Sequence, residues 1–117
     1  MSVTIYGIKS CDTMKKAFNW LNQNGIDYTF IDYKIAGITE AKLNEWLKHI
    51  DVKKLINTKG TTFKKLSTEQ QLSITDLQKA VELMQANSSM IKRPLVEFNG
   101  TFTLGFDAET WGKLFDK

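Results

Sequence analysis

Apolar and polar positions change their period several times along the chain, and those changes divide it into elements. Val3, Thr4, Ile5 and Tyr6 form a short β-branched and aromatic run that Gly7 and the polar residues after it break, which predicts a strand and then a loop. Met14, Ala17, Phe18 and Leu21 then repeat at i, i+3, i+4 and i+7, with Gly25 following as a stop, so a helix is expected over about 11–24. The stretch 28–33 (YTFIDY) is the next β-rich run. A helix between two such strands makes a βαβ crossover, and parallel strands follow from that connection.

The helical period returns after Thr39, which is placed to cap a helix whose stripe is Leu43, Trp46, Leu47 and Ile50. Residues 57–62 (NTKGTT) read as a polar loop after Ile56, and short helical text follows at 63–66. Thr75 or Asp76 can cap a further helix with the stripe Leu77, Ala80, Val81 and Met84. Asn99-Gly100 between the β-rich runs 95–98 and 101–104 calls for a type I′ hairpin, and Trp111, Leu114 and Phe115 give a last helix from Ala108. The order βαβ, helices, ββα predicts an α/β, thioredoxin-like fold in one domain over 1–117, with a helical insertion at about 38–90. Trp20, Trp46 and Trp111 lie in or beside apolar stripes and are expected in or near the core.

Charge narrows the classes of partner. Sixteen Lys plus Arg stand against thirteen Asp plus Glu, and the paired lysines at 15–16, 53–54 and 64–65 are short and separated. They read as solvated helix faces, not as the clustered surface of a nucleic-acid binder. No apolar run approaches the roughly 18 residues of a membrane span, and the first residues hold no charged segment followed by an apolar one; a cytoplasmic protein without membrane attachment is expected. One cysteine excludes an internal disulfide and a thiolate-rich metal site, and His49, at the end of a helical pattern, adds no case for a metal.

Two places concentrate candidate chemistry. Cys11 follows the first strand, and Ser10 is placed as an N-cap that leaves Cys11 in the first helical turn. There the unpaired backbone N–H groups and the positive end of the helix favour thiolate over thiol, and Lys9 and Lys15 add to the effect. The competing reading is a small buried hydrophobe, since free cysteines are mostly inert core residues. Lys92-Arg93-Pro94 combines the chain's single arginine with its single proline just before the hairpin. A guanidinium fork suits bidentate capture of an oxyanion or carboxylate, and a proline in front of a strand can be held cis.

Residues 4–17 (TIYGIKSCDTMKKA), 57–66 (NTKGTTFKKL) and 91–95 (IKRPL) together resemble the arsenate reductase-like (ArsC) family, and within it the YffB-type branch, a sister of the Spx regulators. The resemblance implies a thioredoxin fold in which Cys11 attacks an oxidised substrate, Arg93 binds its anionic group and Pro94 is cis beside the thiol. It further implies substrate-facing roles for Lys9 and Lys59, no bound cofactor, and glutathione as co-substrate, free or carried by a glutaredoxin. Arsenate reductases that use glutathione present three arginines to the oxyanion, whereas this chain has one, which argues against arsenate itself. Met14 stands where Spx proteins carry the second cysteine of Cys-x-x-Cys, so any redox cycle at Cys11 is resolved by an outside thiol. The alternative implied by the same resemblance is a non-catalytic regulator that binds RNA polymerase.

Overall fold

A computed structural model describes residues 2–117 of the chain. These form two compact units, one made of residues 2–32 together with Arg93–Lys117, the other of Tyr33–Lys92.

The first unit is built on a four-stranded sheet of β1 (Val3–Gly7), β2 (Thr29–Asp32), β3 (Leu95–Phe98) and β4 (Thr101–Leu104) in the order β2-β1-β3-β4. β1 pairs parallel with β2 and antiparallel with β3, and β3 pairs antiparallel with β4. The hairpin is the one the sequence predicts: Asn99 and Gly100 have φ of 51° and 75°, the pair of positive values a type I′ turn needs. Between β1 and β2 runs α1 (Asp12–Gln23), with Met14, Ala17 and Leu21 fully buried at the expected spacing. After β4 comes α8 (Ala108–Leu114).

Ile5 lies opposite Phe30 on one side and Val96 on the other, so these side chains share a sheet face, and with Val3, Met14, Ala17, Leu21 and Trp111 they form the core of this unit. Half-buried aromatics surround that core. Trp20 meets Trp111 edge-on at 5.8 Å, and Phe106 meets it at 4.8 Å. The tryptophan expectation therefore holds in graded form, with Trp46 and Trp111 buried and Trp20 half-buried. Gly7 closes β1 where a Cβ would lie 2.6 Å from Sδ of Met14, so a side chain there would displace the tip of that methionine.

The second unit is helical: α2 (Tyr33–Ala36), α3 (Glu40–Leu47), α4 (Val52–Leu55), α5 (Thr61–Lys64), α6 (Thr68–Leu72) and α7 (Leu77–Ala86), with short 3₁₀ turns at Ser73–Thr75 and Ser88–Met90. Four of its helix starts are capped by side chains: Thr39 accepts from Lys42 N–H, Asp51 from Lys53 N–H, Ser67 from Gln70 N–H, and Asp76 from the N–H groups of Gln78 and Lys79. Three expectations need correction here. Tyr33 does not extend β2 but opens α2, where its hydroxyl donates to the Ile91 carbonyl at 3.0 Å. Leu77 is 49% exposed and stands off the buried stripe of Ala80, Val81 and Met84, because the first residue of α7 lies at its solvent end. The polar loop is interrupted sooner than expected, since Gly60 caps α5 and the helix begins at Thr61.

Candidate active site

The β1 to α1 connection is short and tied at several points. Ile8 is buried, the Lys9 N–H donates to Asp32 Oδ2 at 3.1 Å, and the Cys11 N–H donates to the Lys9 carbonyl at 3.0 Å. The Cys11 carbonyl accepts the first helical bond, from Lys15 N–H at 3.0 Å, while Cys11 itself is extended at φ −139° and ψ 131°. Those two properties define the N-cap, so Cys11 and not Ser10 occupies it; Ser10 lies one residue outside the helix and is exposed.

A cysteine at this position puts its sulfur where a serine or aspartate oxygen would ordinarily cap the helix. The side chain is half-buried and makes no cap hydrogen bond of ordinary geometry. Its thiol is nevertheless held below the ordinary value. Burial pushes it up, but the Met14 N–H, the Arg93 guanidinium as hydrogen-bond donor, the Thr13 N–H and the Arg93 charge together outweigh that cost. Lys9 and Lys15, expected from the sequence to help, are not among these groups. Both side chains are exposed, where the high dielectric of water weakens a charge and salt screens it beyond about 8–10 Å.

Arg93 and Cys11, 82 positions apart in the sequence, are thus brought together, and the structure adds the N–H groups of Thr13 and Met14 that no side-chain pattern could announce. Arg93 is half-buried, and the bond from it to the buried Pro94 is cis. The Pro94 carbonyl accepts from Gly105 N–H at 2.9 Å, which ties the Arg93-Pro94 step to the far end of the hairpin. Lys59 lies exposed in the loop before α5 and belongs to the helical unit. In chemical terms the first unit presents a half-buried, thiolate-prone sulfur with a guanidinium beside it. That combination suits nucleophilic attack by sulfur on a group carrying negative charge.

A four-stranded mixed sheet with a cysteine at the start of its first helix and a cis proline ahead of β3 defines a thioredoxin-like protein. The chain belongs to the ArsC family, whose model matches residues 6–114. It is 42% identical to a solved protein designated YFFB, with a TM-score of 0.90 and coverage of 96% of this chain and 97% of that one. An arsenate reductase (ArsC) related protein from Brucella melitensis is 48% identical, with a TM-score of 0.78, covering 100% of this chain and 97% of the other. The global transcriptional regulator Spx of Listeria innocua is 27% identical over 92% of this chain and 82% of its own length.

Proposed function

We propose that the protein is a glutathione-dependent thiol oxidoreductase with Cys11 as its single nucleophile. The observation that carries this reading is the Cys11 sulfur at the N-cap of α1, its thiol lowered by the Met14 and Thr13 N–H groups and by Arg93. In the proposed cycle the Cys11 thiolate attacks one sulfur of a small anionic disulfide. A bond forms between Cys11 and that sulfur, the substrate disulfide breaks, and the second half departs as a thiolate. A glutathione thiolate then attacks the sulfur bound to Cys11, which leaves as thiolate again. The resulting mixed disulfide is reduced by a second glutathione, giving the substrate thiol and glutathione disulfide, so two electrons pass from two glutathiones to one disulfide.

Arg93 supports the reading as an anchor, because its fork can hold a carboxylate or oxyanion while its charge favours the attacking sulfur. A lowered thiol also leaves more readily, which speeds the release step. Lys9 and Lys59 enter this reading as further cations towards the anionic substrate, each to be tested by its alanine variant as a rise in KM. Intact mass after incubation with oxidised glutathione tests the chemistry directly: one glutathionyl adduct is expected, absent in Cys11→Ser, and no adduct on the wild type overturns the proposal.

The relation to Spx supports a second reading, in which the protein binds RNA polymerase without turnover. Retention of polymerase on the immobilised protein, together with absence of the adduct, is the result that favours it.

A further inference from the structure

We infer that Asp32 is a positioning residue for Cys11, acting through the backbone of the β1 to α1 connection. The inference rests on the reading of Cys11 as the nucleophile. Asp32 ends β2 and lies opposite Gly7, the last residue of β1, in the parallel register. From there its carboxylate reaches past the end of β1 and accepts the Lys9 N–H at 3.1 Å. The Lys9 carbonyl in turn accepts the Cys11 N–H at 3.0 Å, and the Cys11 carbonyl accepts from Lys15 at 3.0 Å. Carboxylate, loop amide, loop carbonyl and cap residue therefore form one continuous chain of hydrogen bonds from the sheet to the helix start.

Such a chain is needed because the cap geometry of Cys11 is not enforced by its own side chain, which makes no cap hydrogen bond of ordinary geometry. Serine or aspartate at an N-cap locks its own dihedrals by bonding to the helix; this cysteine relies on the loop to hold it. The sulfur keeps its relation to the Met14 and Thr13 N–H groups and to Arg93 only while the cap residue stays extended. Asp32 is the side chain that anchors the loop amide two residues before it. A direct effect of its negative charge on the sulfur would have the opposite sense, since an anion near a thiolate disfavours the charged form. Positioning and charge therefore predict different signs for the same substitutions.

The test is the rate of iodoacetamide alkylation of Cys11 in the full chain across pH, for wild type, Asp32→Asn and Asp32→Ala, with thermal melts of each. Asparagine keeps an acceptor oxygen in place and loses the charge; alanine loses both. Positioning predicts near-wild-type alkylation for Asp32→Asn. For Asp32→Ala it predicts a rate lower by about three- to ten-fold at neutral pH that recovers at alkaline pH, where every thiol is ionised. Faster alkylation in both variants would show a charge effect and overturn the inference, as would an alanine variant that melts earlier but alkylates like wild type. Should Asp32→Ala fail to fold, Asp32→Glu takes its place, since it keeps the charge but displaces the acceptor, and wild-type alkylation there is equally fatal. A wild-type midpoint at the ordinary thiol value overturns the proposed function. A lowered wild-type midpoint that alanine or glutamate does not disturb overturns only the role of Asp32.

Discussion

The starts of α1 and α8 are two versions of one device. Both cap residues are extended, Cys11 at φ −139° and Asp107 at φ −144°, and both lie against the free N–H groups of a first turn. Asp107 uses that position in the ordinary way: its carboxylate accepts from Glu109 N–H at 3.1 Å and from the Thr110 hydroxyl at 2.7 Å, and its carboxyl is lowered by Thr110 and Glu109. At Cys11 the same N–H groups act on a thiol, and Arg93 adds to them. A carboxyl lowered from its ordinary value is ionised at neutral pH with or without help, so at Asp107 the device yields structure. A thiol lowered from its ordinary value carries more thiolate at a given pH than a free one, which is the property the proposed function of Cys11 draws on.

Exchanging the two roles should give the largest effect. Cys11→Ser puts a proper capping oxygen at α1 and removes the nucleophile; glutathione-dependent turnover is expected to fall by about a thousand-fold or more. The melt of the same variant should rise or hold, since a serine cap is worth roughly 0.5–1 kcal/mol. Loss of turnover together with a lower melting temperature would mean that Cys11 contributes to the fold in a way its position does not explain.

Arg93 is what the α1 start has and the α8 start lacks, and Arg93→Lys isolates it. Lysine keeps a charge without the fork, so turnover efficiency is expected to drop by about ten- to a hundred-fold, the equivalent of roughly 1.5–3 kcal/mol of charged hydrogen bonding. The fold should persist and much of the Cys11 thiolate with it. Unchanged kcat/KM would leave the site without its anion anchor.

The two caps also separate in their response to pH. Both groups have folded values below their unfolded ones, so each stabilises the ionised form and each contribution disappears as pH falls through the folded value. For Asp107 that contribution is complete at neutral pH and is lost only in acid. For Cys11 it grows across the window between the lowered folded value and the ordinary thiol value, and is complete only above the latter. Melting temperature against pH for Asp107→Ala and Cys11→Ala, each compared with wild type, should therefore show a difference that persists at neutral and alkaline pH and vanishes in acid for Asp107, and one that emerges only towards alkaline pH for Cys11.

The smallest effect is expected at Lys9. Its side chain is exposed and is not among the groups that lower the thiol. Lys9→Ala should leave the alkylation midpoint within about 0.2 pH units of wild type, because an exposed charge is screened. A larger shift would mean that the charge of Lys9, and not its backbone alone, serves the thiolate.

Local signals in the sequence translate well into this structure, and distant ones do not. Asn99-Gly100 demands its turn from two adjacent residues, and Thr39 and Asp76 cap their helices where an acidic or hydroxyl side chain precedes an apolar period. The helices Val52–Leu55 and Thr68–Leu72 are too short to show a period at all. Ser10 is the better cap by residue type, yet the backbone turns helical one residue later, where the bonds from Lys9 to Asp32 and to Cys11 hold the loop. Cys11 and Arg93 each stand out in the sequence by scarcity, but their juxtaposition depends on β1 and β3 pairing across the whole intervening chain. The residues that complete the sulfur's surroundings contribute backbone N–H groups, which every sequence supplies and none advertises.

Gly7 and Met14 are coupled through one contact. The thioether fills the space a Cβ at position 7 would occupy, at 2.6 Å, and Met14 is wholly enclosed, so its tip has little freedom to retreat. A side chain at 7 therefore requires the methionine at 14 to move. Met14→Cys would open a void over Gly7 as it introduces a second thiol, and Gly7→Ala would fill part of that void. In this chain the packing of position 7 and the residue type at position 14 are therefore one decision, and a change at either is felt at the other.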